Sequence, residues 1–214
     1  MTAERVPRPY RGIAPDQRVE TRRARFIEAG TALFGGQGYH ATTVRALCAE
    51  AKLTERYFYE SFANTEDLLV QVYRDIAGRG RVGYRQAAER AGNTMEARVT
   101  AALDSYFRFL NADPLAARVI LIEIEGVSEE CDRIYRHELQ DIAGTFAAIL
   151  GPELPVAPAA GLSADLLSFA MIGGIYQLAK EWLFSGRERP VEALVANSQA
   201  MILAVARAWK GEQP

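Results

Sequence analysis

Cysteine and histidine are nearly missing from this 214-residue chain, and each absence removes a class of chemistry. Cys48 and Cys131 are too few and too far apart for a disulfide framework or a metal-ligand pair. Histidine occurs only at positions 40 and 137, so no metal site is expected. There is no Gly-x-x-x-x-Gly-Lys phosphate loop and no Gly-x-Ser-x-Gly nucleophile turn, and no cofactor is expected. The acid pairs Glu123/Glu125 and Glu129/Glu130 are ordinary on helices and do not argue for catalysis. No apolar run reaches the roughly 18–20 residues that cross a bilayer. The charged N-terminus has no apolar segment behind it, so a soluble, reducing, cytoplasmic setting is expected.

Basic charge is not in excess either: 25 Lys and Arg stand against 27 Asp and Glu, a net charge of −2. Its distribution is uneven. Before residue 26, Arg5, Arg8, Arg11, Arg18, Arg22, Arg23 and Arg25 face only Glu4, Asp16 and Glu20. Residues 1–16, with Pro7, Pro9, Gly12 and Pro15, read as an irregular basic arm, either a tail or a supplement to phosphate or minor-groove contacts.

What is present is helical periodicity. Ile27, Gly30, Thr31 and Phe34 share one face of a helix from about Gln17, which Gly35-Gly36-Gln37-Gly38 should end. Thr42 or Thr43 can cap a short helix whose Val44, Leu47, Cys48 and Ala51 fall at i, i+3, i+4 and i+7. Thr54 can cap a second, with Leu53 and Phe58 inward and Glu55, Arg56, Tyr57 and Tyr59 outside. Two short helices crossing at a tight turn make a helix-turn-helix, the unit that sets its second helix in the DNA major groove. Asn64-Thr65-Glu66-Asp67 starts a further helix, with a cap and acids in its first turn.

The remainder also reads as helices. The Val99–Leu110 stretch keeps the helical rhythm, and Pro114 suits a first turn. Residues 118–126 are ambiguous, because Ile122-Glu123-Ile124-Glu125 alternates like a strand; with no partner strand in the sequence, helix is the reading. Residues 151–160 form a linker, followed by two long helices, about 163–184 and 190–209. Gly173-Gly174 in mid-helix calls for a packing reason, either close helix approach at a dimer axis or a kink. The fold class is all-α with about nine helices, divided into the arm (1–16), a helix-turn-helix domain (17–63) and a helical part (64–214).

Phe34…Gly38-Tyr39, Thr42-Thr43-Val44, the helix-turn-helix, Tyr59-x-x-Phe62 and Asn64–Leu69 together resemble the tetracycline-repressor (TetR-type) family of one-component transcriptional regulators. The resemblance implies a homodimer through the last two helices, a double-stranded DNA operator and a small-molecule effector, with no membrane partner, and so makes 64–214 a ligand-binding and dimerisation domain. It implies phosphate contacts at Thr43 and Tyr59 and a groove-facing set of Thr54, Glu55, Arg56 and Tyr57. Two positions depart from the family pattern. Lys52 replaces the usual turn glycine, a costlier residue at positive φ that adds a cation, and Thr65 replaces a phosphate-seeking lysine.

Arg56 suits guanine, whose O6 and N7 accept two bonds from a guanidinium; a salt bridge to Glu55 or Glu60 is the alternative. Arg45 either reaches the DNA backbone or stands in solvent. A ligand pocket is sought among Tyr106, Phe107, Phe146, Phe169 and Tyr176, with Arg118, Glu123 and His137 as polar anchors, which suits an apolar or aromatic effector. The function expected is a ligand-responsive DNA-binding regulator, a repressor released from a palindromic operator. The alternatives are a helical small-molecule- or partner-binding protein without DNA binding, or an enzyme.

Overall fold

The computed structural model describes residues 15–155 and 158–211. Among them there are nine α-helices and no strand: α1 (Pro15–Gln37), α2 (Val44–Ala51), α3 (Glu55–Ser61), α4 (Thr65–Arg90), α5 (Met95–Ala112), α6 (Pro114–Arg118), α7 (Glu129–Leu150), α8 (Ala164–Phe184) and α9 (Val191–Lys210). The basic arm expected at residues 1–16 falls almost wholly outside the described residues.

Local chemistry fixes most boundaries. Thr43, Asn64, Thr94, Asp113 and Ser128 each accept a hydrogen bond from a first-turn N–H, capping α2, α4, α5, α6 and α7. Thr54 occupies the cap position of α3 without making that bond. Helix α1 runs through Gly35 and Gly36 and stops at Gln37, because Gly38 is the residue that turns to positive φ (92°). Residues 119–123 continue α6 as a single π-helical turn, which resolves the alternating Ile-Glu pattern without a strand.

Phe26, Phe58 and Phe62 pack edge-on or tilted within 5.4–6.1 Å, fastening α3 to α1. Helix α4 is the axis of the molecule: Leu68 and Val72 pack against Gly30 of α1, and other parts of α4 pack on α5 and α7. Helix α9 is the one described helix long and apolar enough to suit a bilayer by length and composition, though Glu192, Asn197, Gln199 and Arg207 interrupt its apolar residues. It lies along α5, with Leu194, Ile202 and Trp209 buried. The 151–160 linker is strapped to α9's end: the Ala159 N–H donates to the Trp209 carbonyl (2.8 Å) and the Trp209 indole to the Pro155 carbonyl (3.1 Å). Gly174 is explained by close approach within the chain, since a Cβ there would stand 2.9 Å from the Met201 sulfur of α9. Gly173 faces open space.

Candidate functional site

The helix-turn-helix presents a polar face on an aromatic footing. Fully buried Phe58 holds α3 against α1, so Thr54, Glu55, Arg56 and Tyr59 stand outward, Tyr59 at 60 % exposure. Arg56 is freer still, with 84 % of its side chain exposed, and its Nε meets Glu60 at 2.9 Å. That pair lies one helical turn apart on the surface, where an ion pair is worth about 0.3–0.5 kcal/mol. Such a bond is easily exchanged for a phosphate or a base. Tyr57 is different: it is half-buried, and the Arg22 guanidinium lies 4.5 Å over its ring. It faces α1, and Arg22 caps it.

Lys52 occupies the turn in the left-handed region (φ 53°, ψ 45°), where its N–H bonds the Ala49 and Cys48 carbonyls and its side chain is exposed. A non-glycine residue there carries a steric cost of about 1–2 kcal/mol. Thr43 uses its hydroxyl oxygen to accept from the Ala46 N–H (3.2 Å), which leaves the hydroxyl proton to donate elsewhere. Arg45 is exposed on α2. Thr65, half-buried, is the first residue of α4, between the Asn64 cap and Asp67, whose carboxylate accepts the Ala63 N–H at 3.0 Å. Cys48 is buried and unpaired; burial first and Glu55 second push its thiol above its ordinary value.

Arg118 and Glu123 lie at the seam between α1 and α6, where Arg118 also lines a surface cleft of about 440 Å³ with Gly35, Ile122 and Leu183. Glu123, on the π turn, accepts the Tyr39 N–H (2.8 Å) with one oxygen and Arg118 Nε (2.8 Å) with the other. Gly38 rests on this carboxylate: a Cβ would come within 3.3 Å of it. A second tie joins Ser128, the cap of α7, to Glu66 of α4 (2.7 Å). The positive φ at Gly38 and the distant carboxylate belong to one joint, which spacing along the chain gave no means of pairing.

Between α4, α5, α7 and α8 the aromatic residues converge. Tyr106 stacks on Tyr176 (6.3 Å, 28°), Tyr135 meets Tyr176 edge-on (6.5 Å), Phe107 lies beside Tyr106 (5.2 Å), and Phe146 packs on Tyr84 (6.3 Å). Tyr73, Tyr84 and Tyr135 thus join the expected Tyr106, Phe107, Phe146 and Tyr176. Phe169 is 43 % exposed on the outer side of α8, and His137 stands in solvent beside Asp141 (3.7 Å); neither reaches the cluster. The hydroxyls of Tyr73, Tyr84 and Tyr106 are buried with no hydrogen-bond partner. A buried, unpartnered polar group costs about 1–3 kcal/mol. Burial pushes all five phenols well above their ordinary pKa, and Glu138 and Glu125 push Tyr73 further. They remain protonated donors at any physiological pH. Among the described residues no group of three His, Cys, Asp or Glu is placed to hold a metal.

Residues 26–72 match the family described as Bacterial regulatory proteins, tetR family. The HTH-type transcriptional regulator HbdR of Aromatoleum sp. (strain CIB) is 36 % identical over 58 residues, 27 % of this chain and 25 % of that regulator, so the match spans a quarter of its length. Among solved structures, the fatty acid degradation regulator FadR of Bacillus halodurans superposes with a TM-score of 0.74 at 19 % identity, over 90 % of this chain and 97 % of that one. FadR of Bacillus subtilis, in complex with stearoyl-CoA, gives 0.71 at 19 % identity, over 86 % and 98 %. These two share the fold. Over residues 26–72, then, the chain is similar to the tetR family of bacterial regulatory proteins.

Proposed function

We propose that this protein is a ligand-responsive transcriptional regulator, a repressor that leaves its operator when a small apolar or aromatic effector binds. The observation that carries the reading is the row Thr54, Glu55, Arg56 and Tyr59, projected from a helix that Phe58 anchors inside the tetR-family segment. Residues 17–63 bind DNA; residues 64–214 hold effector and partner. Thr43, Tyr59, Arg45 and Lys52 take phosphates, Thr65 contributing a hydroxyl, while Arg56 reads a base with Glu55 and Thr54 beside it. Tyr57 supports that face through Arg22.

The partner is a second copy of the chain, met through α8 and α9. Leu166, Phe169 and Phe184 form an exposed apolar row on α8, with Leu162 just before it, Leu166 67 % and Phe184 68 % exposed, and Gly173 lies open within the helix. Exposed apolar surface of that kind marks an association face. A two-fold dimer sets its recognition helices about 34–36 Å apart, one turn of DNA, and so reads an inverted repeat. An effector that binds better to a differently spaced conformation shifts the population away from the DNA-competent one. A protein of the same fold holds stearoyl-CoA, which supports a ligand within the C-terminal helices. The setting is the cytoplasm, where the DNA is.

Selection of bound sequences from random DNA tests the reading. An inverted repeat should emerge, and Arg56→Ala should lose about 1–3 kcal/mol of discrimination at one position of each half-site. No preference for the protein's own promoter region over random DNA at moderate salt would overturn it.

A further inference from the structure

We infer that the tyrosine core between α4, α5, α7 and α8 is the effector site, and that it takes an uncharged, largely aromatic or apolar molecule bearing hydroxyl or carbonyl oxygens. This rests on the effector-binding reading above and narrows it to a chemical class.

Three observations lead there. Tyr73 and Tyr84, 0 % and 5 % exposed, and the sealed Tyr106 hydroxyl offer three donors with no acceptor, from two helices, and Glu138 on the facing α7 has one buried oxygen without a well-directed donor. Native interiors pair the great majority of such groups, so a concentration of them around stacked rings describes a surface awaiting oxygens. Tyr73 and Tyr84 lie eleven positions apart on the same side of α4, which at 1.5 Å per residue spreads the donors along roughly 16 Å of helix, so a single bicyclic ring system meets part of the row and a longer molecule meets all of it. The second observation is charge. Glu138 and Glu125 press on the Tyr73 phenol, so an anionic head group would add a third negative charge. Each carboxylate already has a cation, Arg81 at 3.1 Å from Glu138 and Lys180 on Glu125, so none is left to hold a positive ligand. Neutral oxygens fit both facts. The third is access. A cleft of about 590 Å³ opens between α4 and α7, lined by Arg81, Asp141, Gly144 and Thr145 among others, a volume in the range of small-molecule sites. Arg81 and Ala88, three residues before and four after Tyr84 on α4, both line the cleft, so its inner wall backs onto that phenol. The Arg81–Glu138 pair is the bar across that wall.

The test uses the full chain without DNA and four probes on one ring system: 2-naphthol, 2-acetylnaphthalene, naphthalene and 2-naphthoate, followed by equilibrium dialysis. Naphthol and acetylnaphthalene should bind saturably and at least tenfold tighter than naphthalene or naphthoate. Tyr73→Phe with Tyr106→Phe should erase the advantage over naphthalene while leaving naphthalene binding in place. Since the deleted hydroxyls have no partner, the thermal midpoint of the unliganded variant should hold or rise, and Tyr84→Phe provides a second variant on the same criterion. Equal binding of all four, tightest binding of naphthoate, no saturable binding up to millimolar probe, or a lowered midpoint with the naphthol preference intact would overturn the site; the last result means the hydroxyls serve internal water. Operator binding is scored separately. A hydroxyl-dependent naphthol site in a protein that ignores DNA sinks the regulator reading alone, and operator binding without that site sinks this inference alone.

Discussion

Around α2 and α3, polar side chains either cap a backbone or stand in solvent, whereas between α4, α5 and α7 three phenols are buried with nothing to bond. The first arrangement leaves the free protein satisfied and places its binding chemistry at the surface, held by weak, exchangeable contacts such as Arg56–Glu60. The second puts unsatisfied chemistry inside, where an incoming group recovers what folding left unmade. A surface that meets DNA must be complete without it. An interior that senses a small molecule works by being incomplete. Between the two lies the Glu123 joint, the one place where a carboxylate from the π turn holds the backbone that leads into the helix-turn-helix.

The comparison breaks most severely at its footing. Phe58→Ala removes a fully buried ring that touches Phe26 and Phe62 and should cost about 3–5 kcal/mol. The loss should show in urea unfolding, with the DNA-binding end melting first; an unchanged midpoint would mean that α3 is held by something other than its aromatic core.

The joint comes next. Glu123→Ala strands the Tyr39 N–H and frees Arg118, at a cost of about 1–3 kcal/mol. Amide exchange at residues 38–42 should accelerate more than exchange in α5. Glu123→Gln, which keeps an acceptor for Tyr39, should restore most of the protection. If alanine and glutamine behave alike, the joint does not run through that hydrogen bond.

At the surface, Lys52→Gly should separate stability from binding. Glycine removes the left-handed strain at φ 53° and should stabilise the fold by up to about 1 kcal/mol. The same change deletes a cation from the DNA face, so affinity should fall and the slope of log affinity against log salt should shrink by about one charge. A variant more stable and equally tight on DNA would remove Lys52 from the phosphate contacts.

The DNA-binding end was readable from the sequence because its information is local: the Thr43 cap, the i, i+3, i+4 spacing of Val44, Leu47 and Cys48, and the Asn64 cap all act within one or two turns. Lys52 was visible for the same reason, as the wrong residue type at a turn that needs positive φ. The tyrosine core was half visible. Tyr106, Phe107 and Tyr176 have core spacing on their own helices, but spacing does not say which helices meet, and only the crossing of α4 with α5 and α7 joins Tyr73 and Tyr84 to them. Arg118 and Glu123 were read as polar anchors for a pocket among the aromatic residues. The second partner of Glu123, the Tyr39 amide, lies 84 residues away, beyond any local signal.

The smallest effect expected concerns the carboxylate beside the phenols. Burial, the largest influence, raises the Glu138 pKa; Arg81 opposes it, Asp141 adds to it, and His137 and Arg74 oppose it. A carboxyl whose folded-state value lies above its unfolded value binds its proton better when folded. The penalty for charging it is therefore present above the folded pKa and disappears below the unfolded one, so it should make the fold gain stability as pH falls from above that folded value into the ordinary carboxylate range. Glu138→Gln should flatten this gain, so that the difference in stability between wild type and variant changes across the window. The informative quantity is that difference, not either curve alone. At neutral pH the variant should lose little, because Arg81 keeps Asp141 at 3.2 Å. Parallel curves would mean that Glu138 stays charged and fully paired with Arg81, and the bar across the α4–α7 cleft would then be a firm ion pair instead of one weakened by burial.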